Sequence, residues 1–202
     1  MIAVIYSFLC ILIPCGLYQV YAGRKKKAFA GWEKKHRFCH RVWVFLFFLY
    51  LDAAFLTAGI GTVWDIGKYD TLIRLDEINL LPFQSEGAMT YVLNIIMFLP
   101  LGFLLPLIWG KYRSLKRTAA AGACLSLVIE VCQLFNLRAT DIDDLMMNTL
   151  GAVFGYLLWC LFHMLFSKVG KNGELLFPGE PELYLGLSVL GTFLFYNWRW
   201  LL

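Results

Sequence analysis

The chain has 202 residues, of which 60% are hydrophobic and only 16% are charged, and its formal net charge is +4. A soluble domain is usually nearer a quarter charged and about half apolar, so this composition excludes an ordinary soluble domain. The apolar residues come in runs of about 20, the length that crosses a bilayer core as helix. We therefore predict an all-α, polytopic integral membrane bundle that forms one domain over residues 1–202.

Six apolar segments predict about six transmembrane helices, at residues 2–21, 42–63, 91–109, 118–135, 142–166 and 183–202. In the first segment the basic run from Arg24 to Lys27 follows the apolar residues. A cleaved signal peptide carries its charge before them, so we predict an uncleaved helix. The last segment ends in Trp198, Arg199 and Trp200, a pattern typical of an interfacial anchor.

Lys and Arg residues predict the orientation of the bundle. The connections after the first, third and fifth segments hold 8, 4 and 2 of them, whereas the other side holds only Lys68, Arg74, Arg138 and Arg199. Cytoplasmic loops carry the excess of basic residues, so we predict that both termini are extracytoplasmic. The basic connections also favour membrane lipids as generic partners, and we expect no nucleic-acid partner.

Polar residues inside the fourth and fifth segments are the candidates for function. Ser126, Glu130 and Gln133 are spaced by four and three residues and share one helical face. A carboxylate in an apolar helix is costly unless it faces a polar cavity or a partner. On the predicted topology this face lies in the outer half of the membrane.

A second stripe follows at the start of the fifth segment, formed by Asp141, Asp144, Asn148, Gly151 and Gly155. The glycines permit close helix contact. The simplest packing sets this stripe against the face of the fourth segment, with Asn94 of the third segment nearby. Arg138 is the expected counter-charge for the carboxylates.

The two polar stripes and their neighbours supply the candidate functional groups. The candidate catalytic groups are Glu130, Asp141 and Asp144, and the candidate binding groups are Asn94, Ser126, Gln133, Arg138 and Asn148. Structural roles remain open: Gln133 is also explained by one interhelical hydrogen bond, and polar stripes also act as packing contacts. Thr140 and Asp143 resemble a capping box, so we assign Asp143 mainly to capping or loop anchoring.

Other titratable residues give weaker signals. Asp52 is a second intramembrane carboxylate near the middle of the second segment, and its expected structural partner is Arg74 or a buried hydroxyl. His36 and His40 lie in the predicted basic connection, and no histidine has ligand spacing with another His or Cys. The carboxylates suit a hard cation chemically, but their spacing matches no loop motif. We therefore predict no metal and no cofactor.

The segment from Ile78 to Phe83 is apolar enough to lie in the outer interface, and we predict that it covers the polar cluster. Its Asn79-x-x-Pro82-Phe83 pattern begins a longer ordered set of motifs. The others are Asn94 with Phe98-x-Pro100-x-Gly102, Ser126 with Ile129-Glu130 and Gln133, and Arg138 through Asp141, Asp143-Asp144, Asn148, Gly151 and Gly155-Tyr156.

The ordered set resembles the VanZ-like membrane proteins over roughly residues 78–160, with accessory helices at 2–21, 42–63 and 183–202. The resemblance implies a bacterial cell-membrane protein and a link to resistance against the lipoglycopeptide teicoplanin. It supplies no settled mechanism.

Three hypotheses follow. The first is a protein whose outward polar cluster binds a lipoglycopeptide, a lipid head group or a lipid-linked cell-wall precursor. The second is an intramembrane acid–base enzyme with Glu130 paired to Asp141 or Asp144. The third is a proton-coupled lipid transporter that uses Glu130 and Asp52. Because the carboxylates gather on one side, we rank binding first, enzyme second and transport third.

Overall fold

The computed structural model describes residues 2–25, 34–68, 78–79, 81–83, 87–136, 140–166 and 179–201. Six α-helices follow one another in this part of the chain: α1 (Ile2–Lys25), α2 (Lys34–Ala58), α3 (Ala88–Ile108), α4 (Leu115–Gln133), α5 (Ile142–Leu165) and α6 (Glu180–Phe195). Short 3-10 turns occur at Val63–Asp65, Gly110–Tyr112 and Trp198–Leu201. The all-helical prediction is confirmed apart from one minimal parallel ladder, in which β1 (Ile78–Asn79) pairs with β2 (Thr140–Asp141).

Four stretches of helix are long and apolar enough to cross a membrane: Ile2–Ala22, His36–Asp65, Ala88–Ile108 and Ile142–Leu165. The other two helices differ for identifiable reasons. The helix α4 carries Lys116, Arg117 and Glu130 within its 19 residues, and α6 has only 16 residues. Length and composition therefore support four of the six predicted spans.

Two predicted boundaries are wrong. The second helix ends at Ala58 rather than Val63, because Gly59 follows with a left-handed φ of 62°, a conformation that ends helices readily. Asp52 thus lies six residues before the end of α2, although it stays near the middle of the longer membrane-length stretch His36–Asp65. The same helix begins at Lys34, so His40 belongs to α2 and not to a connection.

The closest helix pair is α3 with α5. A Cβ atom on Gly155 would lie 2.0 Å from the carbonyl oxygen of Leu99, and one on Gly102 would lie 2.0 Å from that of Ala152. On Gly151 it would lie 2.4 Å from the oxygen of Ile95. The glycines therefore permit close backbone contact as predicted, but they face α3. The prediction that they face α4 is wrong.

Large apolar side chains cover much of the outer surface. Leu17, Leu93, Leu157 and Leu190 are each at least half exposed, although a soluble monomer rarely presents extended apolar surface to water. Inside, the buried residues of α1, α2, α3, α4 and α6 form one core around Trp109, Phe47 and Tyr184. The polar site lies at one end of this bundle, where α4 ends and α5 begins.

Candidate functional site

Asp141 immediately precedes α5, and its side chain caps that helix. The Oδ1 atom of Asp141 accepts a hydrogen bond from the backbone N–H of Asp143 at 2.9 Å. The capping box predicted for Thr140 and Asp143 is therefore wrong, because Asp141 is the N-cap. Its Oδ2 atom also accepts a hydrogen bond from Asn79 at 3.3 Å, so one buried carboxylate joins the helix start to β1.

Asp143 anchors the segment that follows β1. It is fully buried, and its two oxygens both accept from the backbone N–H of Phe83 at 2.9 Å. Its Oδ2 atom also accepts from the hydroxyl of Tyr91 at 2.8 Å. Phe83 has a φ of 63°, which is uncommon for a bulky residue. The contacts of Asp143 hold this backbone in place, in agreement with the predicted anchoring role.

The segment that Asp143 holds, residues 81–83, has an apolar surface. Leu81 and Phe83 are 59% and 64% exposed, and Pro82 between them is exposed as well. The ring of Phe83 meets that of Tyr91 edge-on at 6.1 Å between centroids. We call residues 81–83 the apolar turn. It lies beside the buried carboxylates that hold it.

The polar face of α4 is buried, and each of its three residues contacts a different element. The Oε2 atom of Glu130 accepts from the backbone N–H of Asp141 at 3.0 Å. The hydroxyl of Ser126 accepts from Asn148 of α5 at 2.9 Å. Gln133 donates to the carbonyl oxygen of Ala58 at 2.8 Å. The predicted shared face is thus present, and it joins α4 to both α5 and α2.

The helix α3 enters the site through Asn94, whose side-chain amide donates to the carboxylate of Asp144. The structure therefore brings Glu130 to Asp141, Ser126 to Asn148 and Asn94 to Asp144. Gln133 points instead to the end of α2. Arg138, the predicted counter-charge, lies outside the described residues.

Two buried acceptors at or beside this site have no hydrogen-bond partner among the described residues. They are Oε1 of Gln133 and Oδ1 of Asn148, and both side chains are at most 2% exposed. A buried polar atom without a partner costs about 1–3 kcal/mol. The site can therefore accept hydrogen bonds from the hydroxyl or amide groups of a ligand. No group of three or more His, Cys, Asp or Glu residues with metal-binding geometry occurs in the part of the chain that the structure describes.

Sequence reasoning missed a buried contact between a histidine and a carboxylate at the opposite end of the bundle. His40 of α2 and Glu180 of α6 lie 2.8 Å apart, with side chains 5% and 0% exposed. The signal was a helical stripe: His40, Val44, Phe47 and Leu51 recur at offsets of four, three and four, and all are buried. This pair ties α6 to α2 far from the polar cluster.

The fold and site together define a class: an all-helical chain with four membrane-length helices and a buried polar cluster at one helix end. A family model described as VanZ/LLP1 matches residues 42–163. The match contains every candidate site residue. The curated Protein VanZ of Enterococcus faecium is 32% identical over 123 residues, which cover 60% of this chain and 75% of that protein. No solved structure matches the chain significantly. The chain belongs to the VanZ/LLP1 family.

Proposed function

We propose that this chain is a multi-pass protein of the bacterial cell membrane that lowers susceptibility to teicoplanin-type lipoglycopeptides. It does so by binding an amphipathic ligand at the cluster of Glu130, Asp141, Asp144 and Asn148 on the extracytoplasmic side. The ligand is the drug itself, a lipid head group or a lipid-linked cell-wall precursor.

The observation that carries this proposal is the contact between Asp143 and Phe83. Because Asp143 holds the backbone of Phe83 at 2.9 Å, the apolar turn is fixed beside the buried polar groups. A ligand with an acyl chain and a polar head matches such a surface: the chain contacts Leu81 and Phe83, and the head meets the polar cluster. The Oδ1 atom of Asn148, which has no hydrogen-bond partner in the described part of the chain, suits the hydroxyl and amide donors of sugars and peptides.

A second candidate function is acid–base catalysis on the same ligand class. It is favoured by the neighbouring burial of Glu130 and Asp141, which are 4% and 5% exposed. Two carboxyl groups in one low-dielectric site are a usual arrangement for a general acid and a general base. Binding is the better-supported function, because both carboxylates are already held by backbone N–H groups. Glu130 accepts from Asp141, and Asp141 accepts from Asp143.

Drug susceptibility in a sensitive host tests the proposal, with membrane protein levels matched by quantitative blotting. We expect the wild-type chain to raise the inhibitory concentration of teicoplanin more than that of a glycopeptide without an acyl chain. Phe83→Ser should remove most of that increase. Phe166→Ser is the matched control, because Phe166 is 54% exposed at the other end of α5 and its loss should change little.

Two results would overturn the proposal. One is an unchanged inhibitory concentration when the wild-type chain is expressed. The other is an equal loss from Phe83→Ser and Phe166→Ser, which would reduce the role of Phe83 to generic contact with lipid. Titration of teicoplanin or a lipid-linked precursor into nanodiscs that hold the purified protein then identifies the ligand. A product detected by mass spectrometry after incubation with the precursor would favour the enzyme instead.

A further inference from the structure

A second polar cavity, separate from the Glu130 cluster, lies between α1, α2 and α6. Its volume is about 250 Å³, and its lining includes Ser7, Asp52, Phe55, Thr62, Thr192 and Tyr196. Asp52 is 5% exposed and lines the cavity together with Ser7, whose hydroxyl donates to the carbonyl oxygen of Val4 at 3.0 Å. None of the described residues that line the cavity is Lys, Arg or His. Arg74, an expected partner of Asp52, lies outside the described residues. A buried carboxylate in apolar helices is expensive without a cationic partner.

The other carboxylate at this cavity has a structural role. Asp65 accepts hydrogen bonds from both the backbone N–H and the hydroxyl of Thr62, at 2.8 and 3.0 Å. These bonds stabilise the turn that follows α2. Asp52 is therefore the carboxyl group at this cavity that is left for a ligand.

Thr192 provides an independent sign of a ligand. Its hydroxyl lines the cavity, the residue is 3% exposed, and its Oγ1 atom has no hydrogen-bond partner among the described residues. A threonine in a helix often satisfies its hydroxyl with a carbonyl one turn earlier. The hydroxyl of Thr192 faces the cavity instead, where the N–H groups of a ligand could donate to it.

We propose that this cavity binds a primary ammonium group, with Asp52 as its counter-charge and Thr192 as a hydrogen-bond acceptor. An ammonium is preferred to a bare metal ion, because no group of three or more His, Cys, Asp or Glu residues that could hold a metal occurs among the described residues, and Phe55 and Leu56 give the cavity an apolar wall. The space corresponds to roughly eight water molecules at about 30 Å³ each. An alkylammonium uses such a site fully: its carbons contact Phe55, and its charge faces Asp52 and the ring of Tyr196.

The ammonium could come from a phospholipid with an ethanolamine head group or from a soluble amine. Asp52 lies six residues from the end of α2, roughly 9 Å along the helix at about 1.5 Å per residue. The polar layer of a bilayer is about 5–7 Å thick on each side. A lipid head group and a soluble amine are therefore both candidate sources, since the cavity lies toward one end of α2.

Thermal stability and native mass spectrometry in nanodiscs test the proposal. The protein is placed in phosphatidylglycerol alone, with added phosphatidylethanolamine, with added phosphatidylcholine, or with free ethanolamine in the buffer. We expect retention of the ethanolamine lipid and a higher melting temperature, and a shift at least fivefold smaller with Asp52→Asn. Phosphatidylcholine keeps the charge but has no N–H donors, so it should give the smaller shift as well.

Glu182→Gln is the matched control, because it removes a carboxylate from the other end of α6 and should leave the ethanolamine effect unchanged. If Asp52→Asn folds poorly, Thr192→Val provides the second variant, with an expected threefold to tenfold loss of lipid retention. A shift with free ethanolamine alone would keep the site and assign the soluble source. An equal shift in Asp52→Asn, or no response to either amine, would overturn the proposal and leave a hydrated cavity. None of these outcomes depends on teicoplanin susceptibility, so the two proposals fail separately.

Discussion

The Oε2 atom of Glu130 accepts a hydrogen bond from the backbone N–H of Asp141, the N-cap of α5, at 3.0 Å. A carboxylate on one helix thus binds the residue that caps the next helix. This contact gives Glu130 a structural partner that its sequence context did not indicate. Glu130 therefore supplies both a hydrogen-bond acceptor and a negative charge, and a substitution can remove the charge while keeping the acceptor.

Glu130→Gln removes the charge but keeps an oxygen that can accept from Asp141. We expect the melting temperature in detergent to stay the same or to rise slightly, because the burial of a charge is relieved. If Glu130 transfers protons, activity should fall by about 10²–10⁴-fold. If it only binds, the loss should correspond to the roughly 1.5–3 kcal/mol of one charged hydrogen bond. Susceptibility at matched membrane levels, beside the melting curve, separates these cases.

Glu130→Ala is the comparison for that experiment. It leaves the N–H of Asp141 without this acceptor, so stability should drop by about 1–3 kcal/mol. A Glu130→Gln variant that is less stable and still active would show that Glu130 is a structural group only.

Close contact between α3 and α5 gives a second prediction. Gly155→Ala should lower the melting temperature clearly, because the new Cβ would lie 2.0 Å from the backbone oxygen of Leu99 and the helices must separate. Gly16→Ala is the control in α1, where nothing lies within 4 Å of a Cβ, and it should be neutral or slightly stabilising. Equal melting temperatures for the two variants would contradict the observed packing.

Much of the fold follows from local pattern. Runs of apolar residues predicted six helices in the right order, and the spacing of Ser126, Glu130 and Gln133 predicted their shared buried face. The partners of the glycines could not be derived, because Gly151 and Gly155 permit close contact with any helix. Only the three-dimensional arrangement selects α3.

Long-range pairs were also beyond the sequence. His40 and Glu180 are 140 residues apart and lie 2.8 Å from each other, and neither carries a local signal for the other. The N-cap of α5 was assigned wrongly for a different reason. Several residues near this helix start can cap it, and the pairing of β2 with β1 decides in favour of Asp141.

Asp143 gives a third prediction. Asp143→Asn replaces one carboxylate oxygen by an N–H₂ group, which cannot accept from Phe83 or Tyr91. Since Asp143 is fully buried, we expect a loss of about 1–3 kcal/mol of stability and greater protease access at the apolar turn. Tyr91→Phe removes one of these hydrogen bonds and should lose less. A stable Asp143→Asn variant with an unchanged digestion pattern would contradict the anchoring role.

The contact of Glu182 with Lys111 and Tyr112 predicts a pH dependence. Burial raises the pKa of Glu182, but the hydrogen bonds from Lys111, its own backbone and Tyr112 outweigh burial and lower this pKa below its ordinary value. A carboxyl with a lowered folded-state pKa adds stability above its unfolded-state pKa and loses it as pH falls through the folded-state value. The side chain is 41% exposed, so the contribution is small. Glu182→Gln should therefore be slightly less stable than wild type at pH 7 and equal to it in acid. A stability difference between Glu182→Gln and wild type that grows as the pH falls would contradict this linkage.

The orientation of the bundle gives the last prediction, and the proposed function depends on it. Lys68 follows the turn after α2, and Lys116 lies in the first turn of α4; both are exposed. The end of α2 contacts the end of α4 through Gln133 and Ala58. The two lysines therefore lie near opposite ends of α4, which has 19 residues and is roughly 28 Å long at about 1.5 Å per residue.

Each lysine is replaced by cysteine in a chain whose native cysteines are alanine. We expect a membrane-impermeant thiol reagent to label Lys68→Cys in intact cells, and to label Lys116→Cys only after permeabilisation. The physical reason is the excess of Lys and Arg in the connections near Lys116, which favours the cytoplasm. The reverse labelling pattern would place Glu130 and the apolar turn on the cytoplasmic side. A lipoglycopeptide that acts outside the cell could not then reach them, and the proposed function would fail with the topology.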